Sequence, residues 1–265
     1  MVEVISSSAR SLVRGLNNKV DQLNALNHPN VRRLVDLSIR NVEIEGIPPY
    51  LRDPTAKAIL PSNYPGVKNA LSGAMKIASI LPYDATHKGN RVIAIARKSL
   101  ADEADIFLRA LGIRNFVYPA LYDDKAGKYS LGTAVYKNVI RSLNEPGRVL
   151  WMSVTGKTDK NGLGLGDIRS GAVVFSASTN VPLIPLAFEM QNQVGKKGKI
   201  IARFGPVIPP PNLQNLDDID KTDLIEVYSL LLMSHIAHLL PNKQRGDFEN
   251  AEKILLDINR RLGIG

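Results

Sequence analysis

In the first forty residues, apolar side chains at Ile5, Ala9, Leu12, Val13, Leu16, Val20 and Leu23 recur at spacings of three and four, with Arg10, Arg14 and Lys19 between them. That period predicts an amphipathic helix over residues 9–26. The Asn27-His28-Pro29-Asn30 cluster breaks it, and Pro29 suits the first turn of a second, shorter helix carrying Val31, Leu34 and Val35. Residues 1–41 therefore read as an N-terminal helical hairpin. Its apolar stripe fits a lid packed on the main domain, while its flanking basic residues fit an acidic membrane surface.

From Val42 the pattern changes to short β-rich runs alternating with helical periods. Strands are predicted at residues 42–45, 58–61, 91–96, 116–118, 149–153, 183–188 and 200–204, and helices at 66–80, 102–111, 131–143 and 170–178. Two closing helices follow at 220–241 and 247–262, stopped by Pro241 and Gly263. This alternation argues for one α/β domain over residues 42–265, with a mostly parallel central sheet flanked by helices.

A chain of 265 residues with 44% hydrophobic and 22% charged positions has room for one such domain and a small appendage. The absence of cysteine excludes disulfide scaffolds, Cys-ligated zinc, iron–sulfur sites and thiol nucleophiles, and it fits a cytoplasmic setting. The formal net charge of +9 favours an anionic partner: nucleic acid, a phosphate-bearing substrate or an acidic lipid surface. Basic residues are spread along the chain, aromatics are only 6%, and no RNP-like or helix-turn-helix signature occurs. Sequence-specific nucleic-acid binding is therefore not expected. The uncharged stretch 170–188 contains Asn180, Pro182 and Pro185, so no membrane-spanning helix is expected either.

Several motif fragments lead nowhere. Gly156-Lys157-Thr158 ends like a P-loop, but Trp151 stands where the loop needs its first glycine. Gly162, Gly164 and Gly166 follow a polar loop instead of a strand, unlike a dinucleotide fingerprint. His235 and His238 share a helical face, yet no third ligand accompanies them, so no metal site is expected.

The stretch from Gly147-Arg148-Val149-Leu150-Trp151 through Thr155-Gly156-Lys157-Thr158 and Arg169-Ser170-Gly171-Ala172 to Val181-Pro182-Leu183-Ile184-Pro185 is more informative. It resembles the glycerol-phosphate and lysophosphatidate acyltransferase superfamily: a strand, a Phe-Pro-Glu-Gly-Thr-Arg motif, a polar loop, a helix start and a Val-Pro-Ile-Val-Pro-Val run. Val42-Glu43-Ile44-Glu45-Gly46, Ile95 to Leu100, Leu111 to Tyr118 and Phe204-Gly205-Pro206-Val207-Ile208 fall in the family's order. The resemblance spans about two-thirds of the chain, from Val42 to Ile208. It implies an acyltransferase-like α/β fold that takes an acyl thioester, from acyl-CoA or acyl-carrier protein, to a glycerol-phosphate-type hydroxyl without a bound cofactor. It also implies a role in phospholipid metabolism, in the cytoplasm or peripheral on a membrane.

The family's first motif is Asn-His followed by Asp, in which His takes the proton of the attacking hydroxyl and Asp balances the imidazolium. Aligned with it are Asn63, Tyr64, Lys68 and Asn69, with Tyr64 at the His position and Asn69 at the Asp position. A phenol of ordinary pKa, about 10, is a poor base at neutral pH, and an amide balances no charge. Loss of a general base typically removes about 10²–10⁴-fold in rate. No displaced copy restores the motif, because Arg33, Val92, Leu240 and Lys243 stand five residues after the four histidines. In the phosphate motif, Thr155 replaces Glu and Thr158 stands near the Arg position, while Gly156 is retained. Tyr118 occupies the place of an Arg that helps hold the substrate phosphate. The resemblance implies phosphate contacts from Gly156, Lys157, Thr158, Lys160 and Arg169. Two rescues of the base remain open: Lys68, one turn after Tyr64, lowering the phenol pKa, or the Asp84–His87 segment. Two functions also remain open, an O-acyltransferase with altered chemistry or a non-catalytic pseudoenzyme that binds a lipid or acyl chain.

Overall fold

A computed structural model of the chain describes residues 42–64, 67–82, 91–98, 101, 117–123, 128–155, 165–190 and 199–262. The hairpin expected over 1–41 and the helix expected over 102–111 lie outside the described residues.

Among the described residues, eight strands form one sheet: β1 (Val42–Glu45), β2 (Ala58–Ser62), β3 (Val92–Arg97), β4 (Val117–Asp123), β5 (Lys128–Ser130), β6 (Val149–Ser153), β7 (Leu186–Met190) and β8 (Ile200–Phe204). Their spatial order is β1-β8-β7-β2-β6-β3-β4-β5. The five central strands, β7, β2, β6, β3 and β4, run parallel. On one side β8 pairs antiparallel with β7 and β1 runs parallel to β8; on the other, β5 returns antiparallel to β4. Every residue of β2 is buried, as expected of a central parallel strand covered on both faces.

Strand alternation divides the core into two layers. Leu60, Val149, Trp151, Leu186 and Phe188 face α1 (Val67–Ile80), whose Ala74, Met75, Ile77 and Ala78 complete that layer. Gly73 brings α1 close, because a Cβ there would overlap the Phe188 ring. Ile59, Leu150 and Ala187 face the other way. Among the described residues, four helices cover them: α2 (Thr133–Asn144), α3 (Gly171–Thr179), α4 (Asp218–His238) and α5 (Ala251–Leu262). The mostly parallel sheet flanked by helices is thus present as read from the sequence.

The differences from expectation are local. Residues 183–185 contribute only single bridges, Leu183 to Ile59 and to Ile208, and regular pairing begins at Leu186. Pro182 and Pro185 lack the N–H groups a ladder needs. β4 runs past Pro119, which pairs along β3 only in the part of the strand that β5 does not reach. β5 itself, three residues long, was not expected. α4 begins earlier than its apolar period, because the Asp217 carboxylate accepts the N–H groups of Ile219 and Asp220 at 2.9 and 2.8 Å.

Ion pairs lie along the outer strands on the four-helix side of the sheet. Arg203 of β8 reaches Glu45 of β1 and Glu189 of β7, and Lys199 meets Glu43 at 2.7 Å. No helix among the described residues is long and apolar enough to cross a membrane.

Candidate functional site

Because β2 and β6 run parallel and in register, their C-terminal ends lie side by side, next to the start of β7. Ser62 and Ser153, the last residues of β2 and β6, are register partners, and Ser62 also partners Leu186 of β7. The chain leaves β2 at Asn63 and Tyr64, and it leaves β6 through Val154 and Thr155. The peptide N–H of Val154 donates to the carbonyl of Ser62 at 2.9 Å, so the two exits are tied together.

Asn63 is almost wholly buried, and its amide is engaged at both ends. Nδ2 donates to the Phe188 carbonyl at 3.0 Å, and Oδ1 accepts the Phe188 N–H at 2.7 Å. Ser62 Oγ donates to the Asn63 carbonyl at 3.0 Å and accepts the buried indole N–H of Trp151 at 2.9 Å. The Trp151 ring stands edge-on to that of Phe188, with centroids 6.2 Å apart. Tyr64, half-buried, packs against the same α1-side cluster. Lys68 and Asn69 lie in the first turn of α1, and their side chains are outside the described residues.

Across the junction, Ser153 Oγ donates to the Thr155 carbonyl at 3.1 Å, and Thr155 bridges antiparallel to Ile168. The Arg169 N–H donates to the Val154 carbonyl at 2.9 Å, which holds Arg169 at the same sheet end. Its guanidinium Nε is buried with no hydrogen-bond partner among the described residues. Gly156, Lys157, Thr158 and Lys160 lie outside the described residues. Tyr118 is on the four-helix side, its hydroxyl 3.2 Å from Ser142 Oγ of α2.

Asn63, Tyr64 and Arg169 are therefore gathered at one end of the sheet. Sequence reasoning missed Ser62, Trp151 and Phe188, which hold the β2 exit in place. The one available signal was a serine just before the motif, in a strand adjoining the strand of the chain's single tryptophan.

A second polar cluster lies where α4 gives way to α5. Gln244 repeats the Asn63 arrangement, with Nε2 donating to the Met190 carbonyl at 2.7 Å and Oε1 accepting the Met190 N–H at 3.1 Å. Beside it, Arg245 donates to the Leu240 carbonyl and, at 2.7 Å, to Glu252, which His238 also approaches at 3.2 Å. The backbone N–H at Glu252 and the Arg245 guanidinium pull the Glu252 carboxyl down to about 2. Burial, with the nearby His238, lowers His235 to about 4.

No protein-family model matches the chain, and no curated protein matches it significantly. Among solved structures, the chain is similar to the 1-acyl-sn-glycerophosphate (LPA) acyltransferase PlsC from Thermotoga maritima. That likeness has a TM-score of 0.46 and 11% sequence identity, covering 85% of this chain and 93% of that chain.

Proposed function

We propose that the chain is an acyltransferase-like protein of phospholipid metabolism that takes an acyl thioester and a glycerol-phosphate-type acceptor at the shared exit of β2 and β6. The observation that carries this reading is the register of Ser62 with Ser153, which brings the two segments bearing the family resemblance to one sheet end. Arg169, tied to Val154 and with a buried Nε unpartnered among the described residues, is suited to an anionic headgroup there. In the reaction, the acceptor hydroxyl attacks the thioester carbonyl, the C–S bond breaks, and the hydroxyl proton leaves through a base to the departing thiolate. The motif offers Tyr64 with Lys68 for that base, in place of the family's histidine.

Purified protein incubated with palmitoyl-CoA and glycerol 3-phosphate or lysophosphatidate should release free thiol, and Tyr64→Phe should abolish the release. A second reading, binding of the acyl ligand without turnover, is favoured by the missing His–Asp pair and by an Asn63 amide already committed to Phe188. Calorimetric binding of palmitoyl-CoA with no thiol release would select it. In that case, turnover gained by a Tyr64→His, Asn69→Asp double variant would show that only the base is missing.

A further inference from the structure

We propose that Asn63 is a positioning residue for Tyr64, acting through the Phe188 peptide and not on a ligand. This rests on the reading that the sheet end beside Tyr64 is the ligand site, but the geometry that carries it stands independently.

The β2–β7 register pairs Ser62 with Leu186, so a continued register would pair Asn63 with Ala187 and then Tyr64 with Phe188. In a continued parallel ladder, the Phe188 N–H would go to the main-chain carbonyl of Asn63, and the Phe188 carbonyl would take the N–H of residue 65. Residue 65 is Pro65 and has no N–H. The Asn63 side chain supplies both missing halves, an acceptor for the Phe188 N–H at 2.7 Å and a donor to the Phe188 carbonyl at 3.0 Å. Its own main-chain carbonyl is then free to accept from Ser62 Oγ, which in turn receives Trp151 Nε1. β2 therefore ends with no unsatisfied β7 peptide at Phe188, and the main chain is released at Tyr64. The Trp151 and Phe188 rings belong to the cluster against which Tyr64 packs. Asn63 is 4% exposed, which suits this role better than contact with a substrate.

The test is Asn63→Asp in the full chain, with the wild type measured beside it at each pH. At about pH 7.5 the introduced carboxylate still accepts the Phe188 N–H but faces the Phe188 carbonyl oxygen with no proton. Burial and that carbonyl raise its pKa, so by about pH 5 it takes up a proton and supplies the missing donor. Three readouts need no ligand: amide exchange of Phe188 in ¹⁵N-phenylalanine protein, emission of the single tryptophan Trp151, and the Tyr64 ring resonance, assigned by its loss in Tyr64→Phe. At about pH 7.5 the Phe188 N–H keeps its acceptor, but the stranded Phe188 carbonyl facing a buried charge destabilises the closed junction, so Phe188 exchange through its opening should rise by about tenfold or more, and the Trp151 and Tyr64 signals should move. All three should return towards wild type at about pH 5. A variant that matches wild type at pH 7.5, or whose Tyr64 signal stays put while Phe188 loses protection, overturns the proposal. If the Tyr64 signal recovers at pH 5, palmitoyl-CoA affinity should recover with it; affinity that stays low would mean that Asn63 touches the ligand, and would also overturn the proposal. A wild type that does not bind palmitoyl-CoA refutes the proposed function alone, since the ligand-free signals still decide whether Asn63 positions Tyr64.

Discussion

Asn63 and Gln244 use the same device on the same strand in opposite surroundings. Each gives both ends of a side-chain amide to the main-chain N–H and C=O of one residue of β7, Phe188 or Met190. Around Asn63 the described partners are neutral: a serine hydroxyl, an indole and a phenyl ring. Beside Gln244 stand Arg245, Glu252 and His238, with His235 on the preceding helix. The device satisfies a strand whose neighbour has turned away, and it needs no charge to do so. Sensitivity to pH should therefore belong to the helix corner and not to the β2 exit.

The largest effects should come from removing the amides. Asn63→Leu and Gln244→Leu each strand a buried N–H and a buried carbonyl, at about 2–6 kcal/mol if each group costs about 1–3. Urea unfolding measures this, and a wild-type midpoint for either variant would end the equivalence of the two sites. Gly246→Ala should follow, at about 1–3 kcal/mol, because its φ of +55° is left-handed and a Cβ there would meet the Leu165 backbone nitrogen at 2.8 Å. At the Asn63 end, Gly73→Ala should displace the Phe188 ring and alter Trp151 emission.

Acidification should separate the two regions more gently. His235 is depressed from 6.5 to about 4, so the unfolded chain binds the proton first, and stability is lost as pH falls through that window. Glu252, lowered from 4.5 to about 2, adds a further loss between those values. His235→Leu should flatten the upper part of the melting-temperature profile, whereas Ser62→Ala should lower the whole profile without changing its slope. A steeper acid limb in Ser62→Ala would contradict the neutral character of the β2 exit. Lys199→Ala, which removes an exposed pair with Glu43, should stay within about 0.5 kcal/mol of wild type in the same assay.

Much of the frame was legible because burial and period coincide. The runs at 42–45, 149–153 and 200–204 are strands with those very limits. They are short, β-branched or aromatic, and flanked by turn residues. β5 was not legible, since Lys128, Tyr129 and Ser130 carry no apolar alternation and are paired only as the return limb of β4. The start of α4 was visible in principle in Asp217 as a cap, but the apolar period begins later and drew the boundary with it. For Asn63 the motif suggests chemistry, while the structure adds an amide engaged with Phe188, 125 residues away. A side chain that replaces main chain leaves no local pattern, because both partners are defined only once the strands are in register.

The position of β1 has a consequence for how the molecule is made. The first described strand to leave the ribosome pairs only with β8, and Glu45 and Arg203, which join across that seam, are 158 residues apart. Closing so long a loop is entropically slow compared with forming the β2–β6–β3 centre. During synthesis β1 therefore meets its partner strand only after every other described strand has been made. Among the described strands, the one made first pairs with the one made last.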